Sequence, residues 1–205
     1  MRTLATLILA LQAVVAGAAT APPAKPAAPQ TVVLAGGCFW GVEGVYEHMR
    51  GVQRVVSGYA GGNQRTATYD EVTTGRTGHA ESVQITFDPA QVSYADILRV
   101  FFSVAHDPTQ LNRQGPDVGT QYRSVIFYAS DAERDLARSY IAELNESGKF
   151  RGALVTRVDP LERFYPAEGY HQDFMARNPR NPYILAHDLP KLRELEALYP
   201  EYYRD

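Results

Sequence analysis

The chain has 205 residues, of which 45% are hydrophobic and 21% charged, a make-up that suits one folded domain or at most two. A formal charge of −3 and a pI near 6.0 exclude the strongly basic surface that binding to nucleic acid or an anionic membrane requires. A domain of this length buries about 70% of the surface its unfolded chain exposes, so neither disulfides nor a structural metal is needed for stability.

The first segment reads as an export signal. Met1 and Arg2 form a minimal basic start, "LATLILALQAVVAGAA" is an apolar run, and Ala16, Gly17, Ala18 and Ala19 offer small residues for cleavage. The run is short for a membrane span. A signal peptide over residues 1–19 is therefore expected, with a retained anchor as the alternative, and the mature chain is expected in an exported, periplasmic location. Residues 20–30, rich in Pro and Ala, are expected to form an extended tether ahead of a catalytic domain over 31–205. Export sharpens the question posed by Cys38, the only cysteine in the chain. In an oxidising compartment a thiol with no partner is either buried and inert or reactive.

"TVVLA" reads as a short buried strand, and Val42, Val45, Tyr46 and Met49 then fall at helical spacing, with Gly51 as the closing residue. Cys38 thus sits at a strand-to-helix turn. Gly36 and Gly37 permit the tight backbone, and the helix start is expected to lower the thiol pKa and favour the thiolate. Gly41 and Gly44 are expected to clear one helix face for the approach of another backbone. A dinucleotide loop fits poorly, because "GGCFWG" lacks the required glycine register and puts bulky rings where phosphate needs room.

Further along, "VQRVVSGYA", "SVQITFD" and "YRSVIFYA" read as strands. Ser93 with Asp96 marks the start of a helix, and Asp131 is expected to cap another through "AERDLARSYIAELNE". A short helix is expected in "EGYHQDFMARN" and a terminal one in "DLPKLRELEALYP". The mixture lacks strict βαβ alternation. It points to an α+β fold, a two-layer α/β sandwich with a mixed sheet and a ferredoxin-like variant of it, rather than a doubly wound sheet.

Two long loops remain. One holds Tyr59, Tyr69, His79 and Glu81; the other holds His106, Asp107, Asp117 and Tyr122. Long loops rich in Gly and Tyr are candidates for function, although each residue has an ordinary packing or solvated role as an alternative. One cysteine and five scattered histidines show no ligand spacing, so no metal is expected.

Taken in order, "GGCFWG", "GYAGG", "TGHAES", "HDPTQLNRQGPDVGTQYRS" and "FYPAEGYHQDF" resemble peptide methionine sulfoxide reductase A, a likeness running from about Val32 to Ile184. The resemblance implies a thiol-dependent reductase for the S epimer of methionine sulfoxide, free or in proteins. It implies Cys38 as nucleophile, Glu81 as proton donor, Tyr69 and Tyr122 as donors to the sulfoxide oxygen, Asp117 as a further catalytic-site position, and Phe39 and Trp40 as an apolar cup for the substrate methyl group. No cofactor is expected, and the chain is expected to be a monomer. Many family members carry further cysteines that resolve the oxidised nucleophile. This chain ends "EALYPEYYRD" with none, so an external thiol such as a thioredoxin-like protein is expected to regenerate it. Two other classes remain open at this stage: a Cys hydrolase using a histidine base such as His79, and a non-catalytic thiol sensor or binding module on the same fold.

Overall fold

The computed structural model describes residues 28–205. The signal expected over 1–19 and most of the tether expected over 20–30 lie outside the described residues. In chain order the main elements are β1 (Gln30–Ala35), α1 (Phe39–Glu47), β2 (Val52–Ala60), α2 (Tyr69–Val72), β3 (Ala80–Phe87), α3 (Tyr94–Val100), β4 (Arg113–Gln114), β5 (Asp117–Val118) and β6 (Val125–Tyr128). There follow α4 (Asp131–Glu146), β7 (Arg157–Pro160), β8 (Phe164–Pro166), α5 (Phe174–Arg177) and α6 (Leu189–Leu198). β1 begins one residue before the expected domain boundary, and Gln30 already pairs with Phe87.

Six strands form one mixed sheet in the order β7-β6-β1-β3-β2-β8, with β6 and β7 parallel and the other neighbours antiparallel. Its inner four strands follow one another as β1, β2, β3 and β6, with α1 between the first two, α2 between β2 and β3, and α3 with the β4–β5 pair between β3 and β6. Side chains alternate across the sheet, and β1 shows both outcomes. Val32 and Leu34 enter the large core shared with Val42, Val45 and Tyr46 of α1 and Ile97 and Leu98 of α3. Val33 and Ala35 enter a second, smaller core with Val125 and Phe127, covered by Leu161 and Phe164. Burial on both faces explains why residues 32–35 are apolar throughout. Fully burying one such aliphatic side chain contributes about 1.5–3 kcal/mol. Tyr46 is wholly buried and donates its hydroxyl hydrogen to the Ile97 carbonyl at 2.9 Å, joining α1 to α3 without an unsatisfied polar atom.

Ser93 caps α3 as expected: its hydroxyl accepts from Asp96 N–H at 3.2 Å, and the Asp96 carboxylate accepts from Ser93 N–H at 3.1 Å. At α4 the cap is Ser130, not Asp131. The Ser130 backbone is still extended while Asp131 is already helical, and the Ser130 hydroxyl accepts from Glu133 N–H. The helix expected in "EGYHQDFMARN" shortens to α5, because Asp173 adopts a left-handed conformation with φ +51° that interrupts it. The preceding stretch supplies the edge strands β7 and β8. β8 lies so close to β2 that a Cβ on Gly58 would meet the Tyr165 carbonyl at 2.4 Å.

Candidate active site

Cys38 is the residue immediately before α1, and Gly37, with φ +97°, supplies the turn that brings the chain off β1. The thiol is buried, with 9% of the residue exposed. The lowered pKa expected at a helix start is not what the surroundings produce. Burial pushes the Cys38 thiol well above its usual value, the charges of Glu81 and Asp188 add to the rise, the Trp40 amide alone draws it down, and Asp117 adds a smaller upward push. Magnitudes explain the outcome. A helix end contributes up to about 2 kcal/mol, whereas full burial of an ionisable group shifts its pKa by about 3–5 units, or some 4–7 kcal/mol.

Glu81 lies on β3, directly paired with Tyr59 of β2, and is 2% exposed. Its Oε2 accepts a hydrogen bond from Phe39 N–H, the first amide of α1, at 3.1 Å. Burial raises its pKa to about 8 against the opposing pull of the Phe39 amide, with Asp117 adding to the rise. Glu81 is therefore mainly protonated near neutrality. A buried, neutral carboxyl group fixed one residue from the thiol is an acid with a proton to give.

Tyr69 and Tyr122 come from the two long loops and meet around this pair. Burial pushes the Tyr69 hydroxyl up to about 12, with Glu81 and then Cys38 as further causes; Tyr122 is raised by burial, Glu81, Asp117 and Cys38 in that order. Both phenols thus stay neutral donors. The loops that carry them are more structured than expected. Thr120 donates to the Gly75 carbonyl at 2.7 Å, and Arg123 reaches the carbonyls of His79 at 3.0 Å and Gly78 at 2.8 Å. Asp117 begins β5 and accepts a hydrogen bond from the Tyr183 hydroxyl. The structure therefore brings Cys38, Glu81, Tyr69, Tyr122 and Asp117 together.

Of the two aromatics after the thiol, Phe39 is almost wholly buried against Tyr59 and His171, at ring-centroid separations of 5.9 and 5.0 Å. Trp40 is half-buried. Phe174 stacks on its indole at 3.7 Å and 8°, Tyr183 meets it edge-on at 6.0 Å, and its Nε1–H donates to His171 Nδ1 at 3.1 Å. Burial lowers the His171 pKa, so the ring is a neutral acceptor.

Several residues of this cluster were not singled out in the sequence. Glu168 accepts from the Tyr59 hydroxyl at 2.8 Å and from Tyr69 N–H at 2.9 Å, fixing α2 to the sheet. Tyr183, His171 and Phe174 wall in Trp40. Asp188, wholly buried, pairs with Lys191 at 3.2 Å and lies against Gly41, so the small residue there admits a carboxylate rather than another backbone. Gly44 likewise admits the Met175 side chain. Three of the loop candidates hold structure instead. His79 Nε2 bonds to the Asn63 carbonyl, His106 spans the Phe101 carbonyl and the Ser124 hydroxyl, and Asp107 accepts from Thr109. His79 and His106 are thus each engaged in structural hydrogen bonds, and His171 is the histidine that lies beside Phe39 and Trp40. Among the described residues no group of acidic, His and Cys side chains has the arrangement to hold a metal.

Comparison with known proteins agrees with this geometry. The family model described as peptide methionine sulfoxide reductase matches residues 30–201. The chain is 54% identical over 183 residues to peptide methionine sulfoxide reductase MsrA 2 of Mesorhizobium japonicum, covering 88% of this chain and 94% of that protein. The structure is similar to reduced Mxr1 of Saccharomyces cerevisiae, with TM-score 0.71 and 34% identity over 77% of this chain and 90% of that one. It is also similar to methionine sulfoxide reductase A of Corynebacterium diphtheriae, with TM-score 0.67 and 36% identity over 75% of this chain and 76% of that one. The α+β fold, the single thiol at a helix start and these matches together establish that the chain belongs to the peptide methionine sulfoxide reductase family and is a thiol-dependent reductase of methionine sulfoxide.

Proposed function

We propose that the chain reduces methionine S-sulfoxide by direct attack of Cys38 on the sulfoxide sulfur, with Glu81 as the acid. The observation that carries this reading is the Glu81 carboxyl group: buried, protonated to about pH 8, and hydrogen-bonded to the amide of the residue after Cys38. A sulfoxide is a poor electrophile until its oxygen is protonated, so nucleophile and acid must act on adjacent atoms.

In the proposed step the Cys38 sulfur attacks while Glu81 protonates the oxygen and Tyr69 and Tyr122 donate to it. Attack forms a bond between the Cys38 and methionine sulfurs; the oxygen then passes to the Cys38 sulfur as the sulfur–oxygen and sulfur–sulfur bonds to methionine both break, leaving methionine and a Cys38 sulfenic acid. Two electrons pass from Cys38 to the methionine sulfur, and the thiol proton replaces the one Glu81 gave. Asp117, fixed by Tyr183, holds the far side of the oxygen pocket. Trp40, backed by Phe39, receives the methyl group, whose burial contributes about 0.8 kcal/mol. With oxygen donors on one side and rings on the other, one sulfoxide epimer fits.

The chain holds no second thiol, so an external one must discharge the sulfenic acid. A first thiol forms a mixed disulfide with Cys38 and releases water; a second releases Cys38 and leaves as the donor disulfide. A thioredoxin-like dithiol supplies both. Export to the periplasm, where oxidised proteins would be the substrates, is supported by the basic start and apolar run at the N-terminus. Trapping of sulfenic acid after addition of each purified epimer tests the proposal. Stoichiometric trapping with S and none with R is expected; no trapping with either would instead indicate a non-catalytic thiol module.

A further inference from the structure

Behind Trp40, on the same face of α1, lie Glu43, Gly44 and Glu47, at the spacing that places residues one above another along a helix. Against that face packs the turn into α5. Phe174 lies flat on the Trp40 indole and Met175 fills the space over Gly44. The turn is anchored upstream by Gln172, whose side chain bonds to Ser57 N–H at 3.0 Å and to the Ser57 carbonyl at 2.9 Å. Downstream of Gln172 the backbone makes an abrupt change of direction at Asp173, φ +51°.

Glu43 occupies the space beneath this turn. It is 1% exposed, and neither carboxyl oxygen has a partner in hydrogen-bond geometry. A carboxyl group buried in that way costs several kcal/mol unless its surroundings compensate. The groups that face it are the amides of Asp173 and Phe174 and the hydroxyl of Ser57, all of which favour its ionised form, with the Asp173 carboxylate opposing. Burial outweighs them and holds Glu43 at about 7. The proposed chemistry at Cys38 makes no use of Glu43, and the indole it sits behind is the wall of the proposed methyl pocket.

We infer that Glu43 is a positioning residue for Trp40: its buried carboxyl group holds the Asp173–Phe174 turn against α1, and that turn delivers the Phe174 ring onto the indole. The inference rests on the reading of Trp40 as the wall of the methyl pocket. Loss of the carboxyl group removes the attraction that draws the two amides towards α1, lets Phe174 move off the indole and loosens the pocket without touching Cys38 or Glu81.

Trp40 is the only tryptophan in the chain, so its fluorescence reports the contact directly. In Glu43→Leu, acrylamide quenching of Trp40 is expected to rise. The KM for methionine sulfoxide should rise about 3–10-fold, the size of a lost methyl contact, while single-turnover rates at saturating sulfoxide stay within about twofold. Glu43→Gln keeps an acceptor oxygen and should restore both. Phe174→Leu should raise KM as Glu43→Leu does, and the double substitution should add nothing further. Thermal unfolding is followed in parallel, and Glu43→Met replaces Glu43→Leu where the latter does not fold. Unchanged quenching in the Leu or Met variant, failure of Gln to restore it, or additive effects of Glu43 and Phe174 on KM would overturn the inference. Increased quenching with unchanged KM would uphold the positioning role and overturn the assignment of Trp40 to the methyl pocket.

Discussion

Glu81 and Phe39 are 42 residues apart in sequence, yet the Phe39 N–H donates to the Glu81 carboxyl group at 3.1 Å. The first amide of α1 is thus spent on Glu81, and Cys38 next to it is left to a buried, carboxyl-rich environment. Cys38 rests as a thiol, and the proposed chemical step couples its deprotonation to protonation of the sulfoxide.

That coupling sets a pH dependence. With its pKa raised to about 8, Glu81 carries its proton below that pH and loses it above. Single-turnover formation of methionine should be level from mildly acidic to neutral pH and fall about tenfold per unit well above pH 8. Glu81→Gln should slow the step roughly 10²–10⁴-fold and remove this decline. The same shift bears on stability. Between the ordinary carboxylate range and pH 8 the folded chain binds more protons at Glu81 than the unfolded chain, so stability falls as pH rises through that window. Glu81→Gln should therefore be more stable than the parent at pH 8, by on the order of a few kcal/mol at most, as read by denaturant unfolding.

Gly41 is predicted to tolerate no side chain. A Cβ there would lie 2.1 Å from Asp188 Oδ1 and 2.6 Å from Lys191 Nζ. The Lys191 end can swing away, whereas Asp188 is wholly buried. Gly41→Ala should destabilise by about 1–3 kcal/mol, the range for forced overpacking, and lower the melting temperature by roughly 2–10 °C. A melting temperature equal to the parent's would show that Asp188 moves freely.

Arg123 is predicted to matter for activity without touching substrate. Its guanidinium joins the Tyr122 segment to the carbonyls of Gly78 and His79, just ahead of Glu81. Arg123→Met keeps bulk but leaves those carbonyls unpaired, at about 1–3 kcal/mol for each buried group. Both stability and the single-turnover rate should drop. A variant with reduced stability and a parental rate would mean that the two loops keep their places without the link.

The strand of "TVVLA", the start of α1 and the Ser93 cap were legible because each depends on neighbours in sequence. Cys38, Glu81, Tyr69, Tyr122 and Asp117 were legible because the motifs that hold them resemble a known family. The elevated Cys38 pKa was not, since a helix start is visible in sequence while burial among Glu81, Asp188 and Asp117 depends on segments far apart. The same holds for Glu168, His171, Phe174 and Tyr183. Singly they read as a surface charge and ordinary aromatics, and only the return of the segment after β8 over α1 makes His171, Phe174 and Tyr183 the walls around Trp40 and brings Glu168 to Tyr59 and Tyr69. At the start of α4, Ser130 and Asp131 are both good caps, and only backbone conformation selects between them.

The central claim is that Cys38 itself takes the sulfoxide oxygen, and it is tested most directly by counting methionine released per chain in the absence of any reductant, together with the intact-protein mass. With one cysteine in the chain, the account predicts release of a single equivalent, loss of the titratable thiol, a mass gain of one oxygen atom, and renewed turnover only when an external thiol is added. Several equivalents released without reductant, or full activity in Cys38→Ser, would contradict it.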